Sequence, residues 1–600
     1  MGCRNNFIRS TTCQIISHLP NMADTDQNTD AVTWLQEEGV PTLAEPFIQK
    51  YLDGRDALIA REKEQRSDHA FRSTLSPMAA EASAIVSAIR FEEQQTLWNH
   101  EYEDNLGRED DIAVYPGMMF SLAKERMERS KLWRIVKRMP KGALLHCHMS
   151  AMGDLDSIFR QALATEGVCI SADRAATTED AKATALFRFR YVPETTNDNA
   201  SLWSDSYTPD TWIPVLTAAE SYPEGGKDAF VSMLISRVTI DPEYSLRHHL
   251  GGNEIWRRFS SSFFIMDSLL RYEPIFRAFI RDMLTQLHED GVRWVDIRSD
   301  FRSPFTRTGK TEPEEGHEAT MAVLTEEIEA FKNSPEGRGF WGARVIWTAL
   351  RFTPTRTIVE DMKECIRMKQ LYPDIICGYD FVGQEENGRP LTDLVPEIFW
   401  FKKRCMEEGV DIPFFFHAGE TLGSGDEVDE NVFDAVLLGT RRIGHGFSLY
   451  KHPLLIEMIK DKRILIESCP ISNEVLRLTS SIMSHPLPAL LARGVCCSLS
   501  NDDPSLLGQG SSGMSHDFWQ ALQGWENLGL EGLASLAENS VRWASHNDCT
   551  AKEWQQEIKD GAYGKGVRAQ RMREWAKEFE EFCAWVVQDY GAEVDINTLD

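Results

Sequence analysis

From residue 143 onward, short apolar runs alternate with helical stretches eight times. The runs are Ala143–His148, Arg293–Ser299, Ala343–Leu350, Ile375–Phe381, Pro413–Gly419, Arg441–Gly446, Ile464–Pro470 and Val495–Asp503. Continuous apolar runs of this length, separated by helices, are the pattern of a parallel sheet covered on both faces. Eight βα units predict a TIM (β/α)8 barrel, an α/β fold that needs only ~250 residues. The chain has 600 residues, so large additions to the barrel are expected. Residues 1–30 are polar and irregular and are expected to be disordered. Residues 31–135 read as an N-terminal helical extension, with a highly charged segment at Glu92–Asp110 and helical periodicity over Pro116–Arg138. The character changes near Met139-Pro140-Lys141-Gly142, and the barrel is expected over 136–590. The gap between the first two runs is too long for one helix. Residues 165–250 are therefore read as an insertion, with Glu194–Pro209 as its loop-rich part.

Charge narrows the choice of partner. Lys and Arg total 64 against 93 Asp and Glu, a formal net charge of −29. So acidic a surface repels polyanions, which argues against nucleic acid and anionic membrane and for a neutral small molecule. No stretch approaches ~18 consecutive apolar residues, so no transmembrane helix is expected. Residues 1–23 lack the continuous apolar core of a secretory signal, and Arg4 and Arg9 give only a faint likeness to a transit peptide. The 12 cysteines contain no CxxC pair and mostly sit in apolar runs such as Ile375–Gly378 and Val495–Ser498. They read as reduced core thiols of a cytoplasmic protein. Mitochondrial import and a non-obvious secretory route are the alternatives. Gly309-Lys310-Thr311 has the ending of a P-loop but lacks its first glycine, since position 304 is Pro304; it reads as a polar loop.

Reactive groups collect at the C-terminal ends of the predicted strands, where barrel enzymes keep their sites. The first run ends in Leu145-His146-Cys147-His148, and residues i and i+2 of a strand share a face, so His146 and His148 can approach one metal together. The fifth ends in His417-Ala418-Gly419-Glu420-Thr421, where buried polar groups call for partners. The sixth gives Ile443-Gly444-His445-Gly446, with glycines leaving space around an imidazole. The eighth gives Ser500-Asn501-Asp502-Asp503-Pro504, two adjacent carboxylates whose repulsion a cation would relieve. Each motif alone also fits a bland strand end or helix cap. Together they supply the imidazoles and carboxylate that suit Zn²⁺ with an open position for water, and leave a further acid and His for proton transfer and orientation.

With these motifs in order, the sequence resembles the adenosine deaminase family, and within it the adenosine deaminase-related growth factor branch. The resemblance is carried by Met139–His148, Phe415–Thr421, Arg442–Phe447, Cys469–Leu476 and Ser500–Pro504, and spans roughly residues 139–545. It implies hydrolytic deamination of adenosine and 2′-deoxyadenosine to inosine and ammonia, by attack of a zinc-bound hydroxide on purine C6. It implies one Zn²⁺ per chain held by His146, His148, His417 and Asp502. Glu420 would protonate the purine N1, His445 would orient the attacking hydroxide, and Asp502 would help to take its proton. Asp503 would hydrogen-bond the purine, Gly383 would approach it through its backbone, and Trp256 would lie near the sugar. The branch also implies homodimerisation through the N-terminal helices.

The chain departs from the family beside the first motif. An Asp that contacts the sugar is expected immediately after HxH or one residue later, but Met149 and Ser150 stand there, and the next carboxylates are Asp154 and Asp156. The insertion holds only Cys169, so it lacks the internal disulfide of secreted relatives. An alternative substrate is adenine, or an N6-modified adenine nucleoside or nucleotide. A phosphate would want basic groups such as Arg298 and Arg302, which read more simply as surface-loop arginines. A non-catalytic growth-factor-like protein is the competing class, although relic sites usually lose ligands and none is missing here. The cytidine deaminase class is set aside because its P-C-x-x-C motif is absent.

Overall fold

The strands come from the apolar runs, and their pairing is parallel throughout the main sheet. A computed structural model describes residues 34–35, 37–98, 115–194 and 200–594. The expected disordered stretch 1–30 and residues 99–110 of the charged segment lie outside the described residues. Strand β1 spans Gly142–His148. Three strands of the additions follow: β2 (Val168–Ala172), β3 (Phe187–Tyr191) and β4 (Ile213–Pro214). The main sheet resumes with β5 (Val292–Ser299), β6 (Gly342–Leu350) and β7 (Ile376–Val382). It ends with β8 (His417–Ala418), β9 (Arg442–His445), β10 (Leu465–Ser468) and β11 (Cys497–Leu499).

Two four-stranded sheets result, ordered β1-β5-β6-β7 and β11-β10-β9-β8. Parallel bridges Tyr379–Phe414 and Cys147–Asp502 join them at both seams. The second seam is made by His148 N–H donating to the Asp502 carbonyl (3.0 Å) and Asp502 N–H to the His146 carbonyl (3.1 Å). The eight strands thus follow one another round in chain order, the order of a (β/α)8 barrel.

Two strands are much shorter than their apolar runs, for local reasons. Pro413 has no N–H to give, and Phe416 N–H donates sideways to Thr440 Oγ1 (3.2 Å), so only His417–Ala418 of the fifth run is regular strand. In the eighth run, Asp502 turns into the left-handed region (φ 59°), which ends the extended backbone before it.

Outside the barrel, β2–β4 form a small antiparallel sheet ordered β3-β2-β4. The helix Gly251–Leu270 follows it and presents Trp256, Phe259, Phe263 and Asp267 to the barrel's main cavity. At the N-terminal side, the helix Pro77–Thr96 is capped by Ser76 and packs against the helices Gly529–Trp543 and Val567–Tyr590. Its buried Glu93 accepts from Leu132 N–H (3.0 Å), tying it to the helix Lys131–Arg138. By contrast, the helix Pro46–Glu64 buries none of its side chains.

Candidate active site

Four imidazoles and one carboxylate converge at the C-terminal ends of the strands. The His146 ring centroid lies 4.5 Å from that of His417, 4.8 Å from His445 and 5.5 Å from His148. Asp502 Oδ1 is 3.2 Å from His146 Nε2 and 3.2 Å from His148 Nε2. His146, His417, His445 and Asp502 form one group able to share a cation, and His148, Asp502 and Asp503 form another. Gly444 provides the space: a Cβ there would lie 2.7 Å from the His146 ring.

Buried carboxylates aim two of the rings. His146 Nδ1–H donates to Glu467 Oε2 (2.9 Å) and His417 Nδ1–H to Asp380 Oδ2 (2.6 Å). Each ring therefore turns its bare Nε2 into the cluster, the arrangement by which a carboxylate fixes the tautomer of a metal-binding histidine. His146 Nε2 and Asp502 Oδ1 are buried without a hydrogen-bond partner. A buried polar atom left so is costly, and a divalent cation would satisfy both. Burial lowers the pKa of His417 to about 3, lowers that of His148 and lowers that of His445 well below the usual imidazole value, so the rings are neutral and fit to ligate. This donor set fits a cation.

Two further acids face the opposite way in charge. Burial, and then the charges of Asp502 and Glu385, push Glu420 well above the usual carboxylate range. Burial and the Asp502 charge do the same to Asp503. Glu420 Oε1 and Asp503 Oδ1 are buried and without protein partners. Both are thus biased toward the protonated form, in which a carboxylic acid can donate to a ligand. Glu385 holds the backbone beneath them, accepting from Glu420 N–H (2.9 Å) and Gly419 N–H (3.3 Å). His445 Nδ1 is 3.7 Å from Glu420 Oε1, and its Nε2 is 3.8 Å from Asp502 Oδ2. His445 (φ 60°) and Asp502 (φ 59°) are both non-glycine residues in the left-handed region. Such strain costs of order 1–3 kcal/mol and clusters at functional sites.

A cavity of ≈ 260 Å³ opens onto this cluster. His148, His417, Glu420, His445, Asp502 and Asp503 line its floor, while Trp256, Phe259, Phe263 and Leu350 give it apolar walls, and Gly383 also faces it. The structure thus brings His148, His417, Asp502 and the sequence-selected Glu420, His445, Asp503, Gly383 and Trp256 to one cavity, with His146 directly behind.

Arg298 corrects the sequence reading. It is not a surface-loop arginine but lies within β5, fully buried. It donates to Asp380 (2.8 Å), Glu467 (2.8 Å) and the carbonyls of Leu145 and Phe415, which uses its guanidinium inside the protein. Arg302 is exposed and pairs with Asp300 (3.2 Å). Asp154 and Asp156 do not line the cavity: Asp154 caps the helix Leu155–Ala164 and Asp156 pairs with Arg160 (2.7 Å).

Sequence reasoning missed Asp380, Glu467, Glu385 and Asp267. The first two had a visible signal, an acid inside an otherwise apolar strand. Asp267 has the same signal within Phe263-Phe264-Ile265-Met266-Asp267. Its carboxyl lines the cavity, receives a hydrogen bond from Ser150 Oγ, and is pushed by burial up to about 6.

Comparison with known proteins agrees with the motifs. A family model described as adenosine deaminase matches residues 242–561. The chain is 33% identical over 441 residues to adenosine deaminase 2-A of Danio rerio, covering 72% of this chain and 80% of the relative. It is 32% identical to an adenosine deaminase of Phlebotomus duboscqi, covering 73% of this chain and 79% of the relative. Among solved structures, an adenine deaminase from Arthrobacter aurescens superposes with a TM-score of 0.46 at 16% identity, over 73% of this chain and 99% of the other.

Proposed function

The chain belongs to the adenosine deaminase family, and from that membership we propose that it hydrolyses adenosine and 2′-deoxyadenosine to the inosine nucleosides and ammonia. The observation that carries this reading is the pair of buried acids, Glu420 and Asp503, each with an unpartnered oxygen and both facing one cavity beside a cluster of imidazoles. His146, His148, His417 and Asp502 would hold the metal. Three imidazoles and a carboxylate suit Zn²⁺, which would supply a water acidified toward neutrality.

The chain's own residues do the rest. Glu420, its carboxyl raised by burial, donates to purine N1 and withdraws electrons from C6. Asp503 donates to an acceptor nitrogen of the same ring. His445, neutral and beside both Glu420 and Asp502, orients the attacking oxygen and stabilises charge as C6 becomes tetrahedral. Gly383 leaves room for the ring to approach the backbone, and the aromatic wall excludes water. Nucleosides are favoured over nucleotides because Arg298 is consumed inside the barrel, and because Asp267 and Asp300 line the cavity beside Arg302.

The same reading gives the N-terminal helices to a second copy of the chain. The helix Pro46–Glu64 leaves Phe47, Tyr51 and Leu58 exposed, as a contact surface would. It also places the protein in the cytoplasm, in keeping with ten free cysteines among the described residues. The test is direct. Purified protein is offered adenosine, 2′-deoxyadenosine, adenine and AMP while absorbance near the adenine maximum is followed. Loss of absorbance with the two nucleosides, and little with adenine or AMP, is expected. Turnover of adenine or AMP alone would overturn the assignment.

A further inference from the structure

The cavity contains an acid that neither the metal cluster nor the purine-facing pair uses and that, unlike Asp300 with its Arg302 partner, is in no ion pair among the described residues. Asp267 stands on the helix Gly251–Leu270, outside the barrel strands, and is 8% exposed. Among the described residues, only Ser150 Oγ hydrogen-bonds its carboxylate, at Oδ1. The neighbouring cations are turned elsewhere: Arg271 donates to the Asp300 carbonyl (2.6 Å), and Arg302 pairs with the Asp300 carboxylate. Asp267 therefore presents an acceptor oxygen to the cavity from beside the aromatic wall. A carboxylate has only acceptors to offer, so its complement is a donor such as a hydroxyl; an anionic phosphate would be repelled.

We propose that Asp267, positioned by Ser150, takes a sugar hydroxyl of the nucleoside and so replaces a carboxylate that β1 does not supply. This rests on the nucleoside reading given above. Ser150 occupies the place beside His148 where a carboxylate could have stood, and its hydroxyl reaches Asp267 from there. The acceptor then comes from the helix across the cavity and not from the end of β1. Met149, buried and sulfur-bonded by Ser299 Oγ (3.7 Å), cannot serve in its stead. Asp154 and Asp156 are held by their own helix and by Arg160.

Kinetics on adenosine and its 2′-, 3′- and 5′-deoxy analogues test this, with wild type, Asp267→Ala, Asp267→Asn and Ser150→Ala. A hydrogen bond to a charged group is worth about ten- to a hundredfold in affinity. Wild type should prefer adenosine to at least one analogue by that factor. Asp267→Ala should raise KM for adenosine by a similar factor, lower kcat less, and abolish the discrimination. Asp267→Asn, which keeps one acceptor, should fall between, and Ser150→Ala should shift KM the same way by a smaller factor. Metal content, measured on each variant, should not change. Wild-type KM and undiminished discrimination in Asp267→Ala would overturn the proposal. Should that variant fail to fold, the same result in Ser150→Ala and Asp267→Asn together would do so. If wild type turns over no adenosine at all, the nucleoside reading itself falls and takes this inference with it.

Discussion

Two sets of buried charge meet in the barrel, and they are satisfied in opposite ways. In the first, Arg298 and Arg442 bind Asp296, Asp380 and Glu467 in a lattice of ion pairs, with distances such as 2.8 Å for Arg298–Asp380 and 3.0 Å for Arg442–Asp296. In the second, Glu420, Asp502 and Asp503 stand close together with no arginine or lysine paired to them among the described residues, and each has an oxygen without a hydrogen-bond partner. The two sets touch at His146 and His417, whose outer nitrogens belong to the lattice and whose inner nitrogens belong to the cluster. The difference separates scaffold from chemistry. Buried groups joined in ion pairs fix geometry, while acids without such a pair are available to a cation or substrate.

The comparison can be broken first at the lattice. Arg298→Leu leaves Asp380 without an arginine and Glu467 with Arg442 alone, and removing one member of a buried ion pair typically costs about 3–5 kcal/mol. A markedly lower midpoint in denaturant unfolding is expected. A variant as stable as wild type would show that the lattice does not hold the fold.

A smaller effect isolates the cost of an open acid away from the cavity. Glu474, on the helix Pro470–Val475 behind β10, is buried without a cation; its carboxyl is pushed up to about 8 by burial, although Phe120 N–H (3.0 Å) and Gln520 Nε2 (3.3 Å) donate to it. The unfolded chain ionises this group near ~4.3, the folded chain only near about 8. Within that window the unfolded state binds fewer protons, so wild type loses stability as pH rises through it, while below it both states are protonated and nothing is lost. Glu474→Gln removes the loss. Its stability relative to wild type should improve between pH 5 and pH 8 by roughly 1–3 kcal/mol, given ~1.4 kcal/mol per pKa unit. Unfolding curves for the two proteins that stay parallel across this range would contradict the assignment.

The cluster was far more legible in the sequence than the lattice. His146, His148, His417, Glu420, His445, Asp502 and Asp503 all lie at the ends of apolar runs, where alternation and the closed order of strands bring them together. Arg298 could not be read in the same way. Its place inside the run Arg293–Ser299 was a local signal of burial, but its partners Asp380 and Glu467 are 82 and 169 residues away and could not be read from it. Asp267 was hidden for another reason: the departure at Met149 and Ser150 was visible, but the residue answering Ser150 comes from a helix 117 positions on. The shortness of β8 was missed because an apolar run shows burial, not hydrogen bonding, and Pro413 and Thr440 divert the latter.

The open cluster is expected to hold a catalytic metal, and Glu420 to supply a proton independently of it. Elemental analysis and turnover of adenosine, measured together on wild type, His417→Ala and Glu420→Gln, test both halves at once. About one divalent metal per chain is expected in wild type and in Glu420→Gln, and none in His417→Ala. Glu420→Gln cannot donate the proton, so its turnover should fall by ~10²–10⁴-fold or more with the metal still in place. Active wild-type protein free of divalent metal, or near-normal turnover in Glu420→Gln, would contradict the account.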